Sequence, residues 1–284
     1  MALVTVGISF YNAERFLDDA IRSVINQIYS EWILVLLDDG SVDNSLGIAA
    51  KYSGESRIKI ISDGQNKGLI YRLNQLISMC NTKYFARMDA DDIMHPERLQ
   101  KQIDFLEANP LVDIVGSWAY SIDINNKILG ILKTIKNPKS LSNVLEHSCF
   151  IHPSIIGKTS WFKKNQYDID FFRIEDMELW GRTIENSSFY NLTEPLLFYR
   201  EVGIPYLSKY LQSMRGERKL VKRIYAEKAF IYRCYRLFKN YVKSLLYICF
   251  TVIGLQTYLI KHRSLSISFV DYQRGIKSLY QALK

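Results

Sequence analysis

The 284-residue sequence predicts an α/β fold, a mostly parallel sheet flanked by helices and followed by a C-terminal helical extension. Three observations carry this expectation. Short apolar runs alternate with amphipathic stretches through about residue 115, the pattern of successive βα units. Acidic residues close two of those runs, at the sheet edge where ligands of open α/β folds usually bind. Charge is divided along the chain: residues 1–208 hold 21 Lys and Arg against 26 Asp and Glu, whereas residues 209–284 hold 16 against 3.

Taken in order, strands are expected at 3–9, 32–37, 57–61 and 84–88, with helices near 14–27, 43–52, 69–79 and 96–108 between and after them. Pro96 suits the first turn of the last of these helices. After Asn109-Pro110 the runs lengthen, with strands at 113–122 and 128–132, a short helix near 138–146, a helix opening near Glu175 and a last strand at 189–200. A mixed sheet is expected there. The catalytic-sized unit is expected to be 1–205, divided into 1–115 and 116–205, with its end near Gly203 to Pro205. Residues 206–284 form a separate basic region.

Composition excludes several classes. The hydrophobic share of 48% and charged share of 23% fit a folded globular chain. Four widely spaced cysteines, with no CxxC pair, argue against a disulfide-stapled domain and for a reducing compartment. The N-terminus shows no basic segment followed by a cleavable apolar core, so export from this end is not expected. Ser9-Phe10-Tyr11-Asn12 lacks the glycines of a dinucleotide-binding turn, and no phosphate-binding GxxxxGK[ST] loop occurs.

The chemistry concentrates in carboxylates. Asp89-Ala90-Asp91-Asp92 follows the strand at 84–88, and Asp38-Asp39-Gly40-Ser41 follows the strand at 32–37. Hard oxygen ligands suit Mg²⁺ or Mn²⁺, which commonly bind through one or two protein carboxylates with substrate phosphates completing the shell. Either cluster alone is also ordinary turn and helix-capping chemistry. Together they place two acidic groups on one crevice, one able to accept from a nucleoside N–H and ribose hydroxyls and the other able to hold a metal. A third group, Glu175-Asp176, opens a helix, where acids also complement the dipole.

The segments VGISFYNAERFLDDAIRSVINQ, LLDDGSVDNS, NKGL, ARMDADDIMHPERLQKQIDFLEANP, FIHPS and IEDMELW, in this order over residues 3–200, resemble family 2 glycosyltransferases. The likeness is strongest to bacterial enzymes that extend O-antigen or exopolysaccharide repeat units on a lipid carrier. The resemblance implies a GT-A (Rossmann-like) fold, a nucleotide-diphospho-sugar donor, Mn²⁺ or Mg²⁺, and inversion at the anomeric carbon. By position it assigns Asp39 to the uracil, Asp89 to ribose and donor, Asp91 to the metal, and Tyr11, Asn12 and Glu14 to the nucleotide pocket, with Lys67, Gly68 and Arg72 nearby. It makes Asp176 the general base, and single displacement needs such a carboxylate within hydrogen-bond reach of the attacking hydroxyl. Glu175, Trp180 and Asp92 fall on the acceptor side. Trp180 is either a sugar platform or a core residue, and His152 either a ligand to metal or phosphate or a packed histidine. Two departures touch the donor pocket: Ser9 stands where the family usually has Pro, and Leu73 where it often has Arg, with Arg72 one place earlier.

Residues 213–246 read as one amphipathic helix, with Val221, Ile224, Ile231, Tyr235, Phe238, Val242 and Leu245 on one face and Arg215, Arg218, Lys219, Lys222, Arg233 and Arg236 opposite. An uncharged stretch of 17 residues follows at 244–260, at the lower limit for crossing a bilayer, and an interfacial or buried helix is the expectation. The apolar face either sinks into an anionic membrane surface or packs on the catalytic unit. The expected setting is peripheral, on the cytoplasmic face of the inner membrane, with no nucleic acid as partner. The expected activity is transfer of a hexose, from UDP-Glc or UDP-Gal, to a hydroxyl of a lipid-diphosphate-linked sugar. The alternatives are transfer to a polyprenyl phosphate and a catalytically inactive sugar-binding module.

Overall fold

A computed structural model describes residues 2–146, 149–201, 207–224, 230–255 and 264–284. Its first half is the expected βα series: β1 (Val4–Phe10), α1 (Leu17–Ile25), β2 (Trp32–Asp38), α2 (Ser45–Ala50), β3 (Ile58–Ser62), α3 (Leu69–Met79) and β4 (Tyr84–Asp89). Strands β3, β2, β1 and β4 lie side by side and are all parallel. They read as unbroken apolar runs because both faces are covered. Val4, Val6, Ile8, Leu34 and Leu36 pack towards α1 and α2, and Val35, Leu37 and Phe85 pack towards α3. The alternation of side chains along a strand divides one sequence run between two cores.

The second half adds β5 (Ile93–Met94), α4 (Arg98–Ala108), β6 (Ile114–Ile122), β7 (Ile128–Leu132), α5 (Leu141–Glu146), β8 (Ile156–Lys158), α6 (Thr159–Lys164), α7 (Glu175–Thr183) and β9 (Phe189–Arg200). The sheet continues β4-β8-β6-β9-β5, with β7 on β6. Here β8 is antiparallel to β4 and β6, while β6 and β9 are parallel, so the expected mixed sheet is present. The three-residue β8, too short for a periodicity argument, joins the two halves.

The C-terminal region departs from the single helix expected at 213–246. Two helices, α8 (Leu207–Ile224) and α9 (Phe230–Val252), run antiparallel, since Tyr210 stacks on Tyr247 while Glu217 bonds Asn240. The physical reason is polar. Arg236 and Asn240 both donate to Glu217, at 3.1 and 3.0 Å, and Arg218 donates to Asn240 and Ser244. A buried charged seam of this kind closes only if the helices face each other. Helix α9 ends before the uncharged stretch does: Gly254 has φ 73°, the Leu255 amide donates to the Phe250 carbonyl and the Gly254 amide to that of Thr251, a glycine-terminated helix end. The rest of 244–260, like the proposed boundary at 203–205, lies outside the described residues. Among the described residues, no helix is long and apolar enough to cross a membrane.

The basic region is also not one body. Leu265 pairs with Ile131 of β7, and α10 (Phe269–Ala282) packs on the sheet, with Leu279 and Ala282 against a cluster containing Ile93, Tyr120 and Ile128. Asn26 at the end of α1 donates to the Ala282 carbonyl at 3.0 Å. Residues 264–284 thus pack on the sheet and on the end of α1.

Candidate active site

Register brings the acidic groups together. Ser9 lies opposite Asp89 across β1 and β4, Phe10 opposite Asp38 across β1 and β2, and Asp38 opposite Ser62 on β3. These are the carboxyl ends of neighbouring parallel strands, the ligand-binding edge of an open sheet.

On the β2 side both acids are engaged within the protein. Asp38 accepts from the Ser41 amide at 2.9 Å and the Ser62 hydroxyl at 2.7 Å. Asp39 accepts from the Lys67 and Gly68 amides, at 2.8 and 3.0 Å, and from Arg72 Nε at 2.8 Å. Arg72 is fully buried and also clasps Asp63, which holds the Asp63 carboxyl below its ordinary range. Lys67 is exposed and bonds Asp63 at 2.7 Å. Arg72 and Lys67 therefore shape the loop after β3, and Asp39 pins that loop to the strand end. Tyr11, in the turn after β1, is exposed. Asn12, with φ 50°, accepts from the Val42 amide, and Glu14 accepts from the Asn44 amide at 3.0 Å, so both tie the β1 turn to the turn after β2.

On the β4 side, Asp89, Asp91 and Asp92 each offer an oxygen within 4.8 Å of the others. Burial, reinforced by the Asp89 charge, pushes the Asp91 carboxyl up to about 6, and burial, reinforced by the Asp91 charge, raises the Asp92 carboxyl well above its ordinary value. Asp92 accepts from the Arg200 amide at 2.8 Å, but its second oxygen is buried without a partner. Crowded, desolvated carboxylates with an orphaned oxygen are the donor set a divalent cation relieves, so these residues fit a hard metal. Asp92, expected on the acceptor side, is 1% exposed and bound to the Arg200 amide at the end of β9.

Arg87 was not singled out by the sequence, although an arginine within the apolar run YFARMD is a signal, because burying it without function is costly. It bonds Asp89 at 2.5 Å, while its Nε and Nη1 are buried without partners. Arg200, also unforeseen, donates from Nε to the Asp91 carbonyl at 2.7 Å.

Glu175 and Asp176 open α7. Burial raises both carboxyls, Glu175 to about 7 with the Asp176 charge as the second cause. The Met177 amide donates to Asp176 at 2.7 Å, and Arg87 opposes the rise in both. Asp89 acts on both acids in the other direction. The strand-end cluster and the α7 pair thus share one electrostatic space. Glu178 in the same turn is structural, paired with Arg182 at 2.8 Å.

Trp180 is 2% exposed and packs among Trp161, Phe150 and Phe189. It is a core residue, with no free face for a sugar. His152 is hydrogen-bonded through Nε2 to Tyr167 at 2.7 Å and sits edge-on to Trp180. Burial keeps it far below its ordinary pKa and hence neutral. It stands outside the carboxylate cluster.

The architecture is that of a GT-A-type glycosyltransferase. It matches a crystal structure of S. aureus TarS in complex with UDP-GlcNAc with a TM-score of 0.63, covering 100% of this chain and 82% of that one at 17% identity. The family model for glycosyl transferase family 2 matches residues 5–167. The chain is 30% identical over 206 residues to the E. coli O-antigen biosynthesis glycosyltransferase WbnJ, covering 70% of this chain and 79% of that one. It is 31% identical over 188 residues to E. coli WfgD, a UDP-Glc:alpha-D-GlcNAc-diphosphoundecaprenol beta-1,3-glucosyltransferase, covering 66% of this chain and 71% of that one. The chain belongs to glycosyltransferase family 2, and it is related to enzymes of O-antigen and exopolysaccharide synthesis.

Proposed function

We propose that the protein transfers a hexose, from UDP-Glc or UDP-Gal, to a hydroxyl of a lipid-diphosphate-linked sugar, with inversion at the anomeric carbon. The observation that carries this reading is that buried Arg87, bonded to Asp89, and the Asp89 charge itself both act on Glu175 and Asp176 at the start of α7, so the strand-end acids and the helix-start acids share one site. Single displacement needs one side of a crevice to hold the leaving diphosphate and the other to take a proton from the acceptor. Asp91, with Asp89, would hold Mn²⁺ or Mg²⁺, which supplies charge neutralisation for the departing diphosphate. Tyr11, Asn12, Glu14, Asp39 and Lys67 form the donor side, whereas Arg72, expected to bind the donor, is fully buried and acts through Asp39, which it orients from within. Asp39 contributes a carboxylate already oriented by three internal donors. On the acceptor side Asp176 is the base, and Glu175 beside it has its carboxyl raised to about 7 by burial and the Asp176 charge. The lipid-linked acceptor draws support from WfgD, whose name states a diphosphoundecaprenol-linked GlcNAc acceptor. Such an acceptor places the enzyme peripherally on the cytoplasmic face of the inner membrane.

The test is a screen of UDP-sugars with Mn²⁺ against GlcNAc- and GalNAc-diphosphate-lipid analogues, with chelator and Asp91→Asn as controls. Transfer of one hexose that chelator and the substitution both abolish is the expected result. Transfer only to a polyprenyl phosphate, or no turnover of any UDP-sugar, would replace the reading with one of its alternatives.

A further inference from the structure

Helix α9 is turned the opposite way from an ordinary surface helix. Its buried side consists of Arg236, Asn240, Ser244 and Tyr247, which face α8. Its outward side carries Ile231, Phe238, Leu245 and Val252, spaced seven residues apart and 84%, 67%, 61% and 79% exposed. Tyr241 and Leu246 widen the stripe and are also more than a third exposed. Because the polar seam with Glu217 and Arg218 holds the other side, α9 cannot roll this stripe inward without stripping partners from buried charges. A contiguous apolar surface kept outward in this way marks an interaction face.

Charge selects the occupant. Apart from Arg236, which is paired with Glu217, α9 contains Arg233, Lys239 and Lys243 and no acidic residue, and residues 209–284 hold 16 basic against 3 acidic residues. The seven-residue spacing could seat a second copy of α9, but such a pair would bring like charges together with no acid to match them. An anionic lipid surface accepts both features, apolar side chains at the acyl boundary and Lys and Arg at the headgroups. Helix α9 rests on α8 and, through Arg236 and Tyr232, on the end of α5; both of those helices pack on α7, with Gly216 of α8 against Ile174, the residue before Glu175 and Asp176. At about 8–10 Å per helix layer, a bilayer at α9 would lie on the order of 20 Å from the acceptor side.

We infer that the outward face of α9 is a docking surface for an anionic lipid bilayer, which sets the acceptor side of the site towards the membrane. The inference deepens the lipid-linked acceptor reading and rests on it for its purpose, though not for its geometry. The test is flotation of the full chain with vesicles of phosphatidylcholine alone or with about one-third phosphatidylglycerol. Transfer of hexose to a short-chain, water-soluble acceptor is followed separately. Co-flotation with the anionic vesicles is expected, reduced at least tenfold with phosphatidylcholine alone. Phe238→Glu with Leu245→Glu should lower it at least tenfold while leaving transfer to the soluble acceptor unchanged. Lys239→Glu with Lys243→Glu should do the same, and it carries the test if circular dichroism shows the first variant misfolded. Wild-type protein that fails to float with anionic vesicles would overturn the inference. So would variants that float like wild type, or a wild-type dimer in light scattering that these substitutions dissociate without any vesicle binding. Loss of transfer with flotation intact would count against the activity and leave the surface standing.

Discussion

Asp176 receives one amide hydrogen bond and the field of a buried guanidinium, and both favour its charged form against the burial that raises it. The sign for catalysis follows directly. A carboxyl with a raised pKa takes its proton earlier as pH falls, so base activity is present above that value and is lost on acidification through it. We expect kcat/KM to fall on the acid side, and Arg87→Met to move that limb to higher pH by removing the charge that opposes the rise. A pH–rate profile of both proteins checks this, and an unmoved limb would detach Arg87 from the base. Asp176→Asn should lower kcat by about 10²–10⁴ with little change in donor affinity, the range for loss of a general base. Single-turnover kinetics with UDP-sugar titration separates the two. At this scale the carboxylates were legible in the sequence because a strand end followed by acids is a local pattern. Arg87 and Arg200 were not, since their significance lies in residues 89 and 109 positions away that only folding brings near. Trp180 was equally open in the sequence, because an aromatic at that spacing serves a core or a sugar, and only burial distinguishes them.

Strand β8 shows how much an element of three residues can carry. It pairs with β4 on one side and β6 on the other, so it joins the donor half of the sheet to the half that leads to α7. Gly157 sits at this junction with no room for a side chain: a Cβ there would lie 2.2 Å from Ile114 Cδ1 and 2.6 Å from the Asp113 carbonyl oxygen. Gly157→Ala should therefore destabilise the protein by about 1–3 kcal/mol, the usual cost of overpacking, read as a lower urea midpoint. An unchanged midpoint would mean that the two halves adjust to each other freely. The long strands and helices were readable from periodicity alone. β8 and β5 were not, because two or three residues cannot display a period and are strands only through their neighbours.

Over the whole molecule, the chain crosses its own catalytic unit twice: the hairpin α8–α9 lies against α7, and α10 returns to the sheet beside α1. Leu279 is buried there with Tyr120 and Ile128. Leu279→Ala should cost about 2–5 kcal/mol and lower the melting temperature of the catalytic unit as a single transition. A separate early transition would instead show the C-terminus to be an independent body.

What the sequence determined by itself was whatever depends on neighbours along the chain: the βα alternation, the acids at strand ends, and the charge division at the C-terminus. The tertiary structure alone decided which way α9 faces. Its helical period is symmetric between inward and outward packing, and the choice was made by Glu217, Arg218, Arg236 and Asn240 finding one another across the hairpin. It also decided that 264–284 packs on the sheet, because burial there is supplied by β5, β6 and β7, more than 130 residues earlier. Local periodicity specifies elements, whereas burial and the pairing of buried charges specify which of their faces meet.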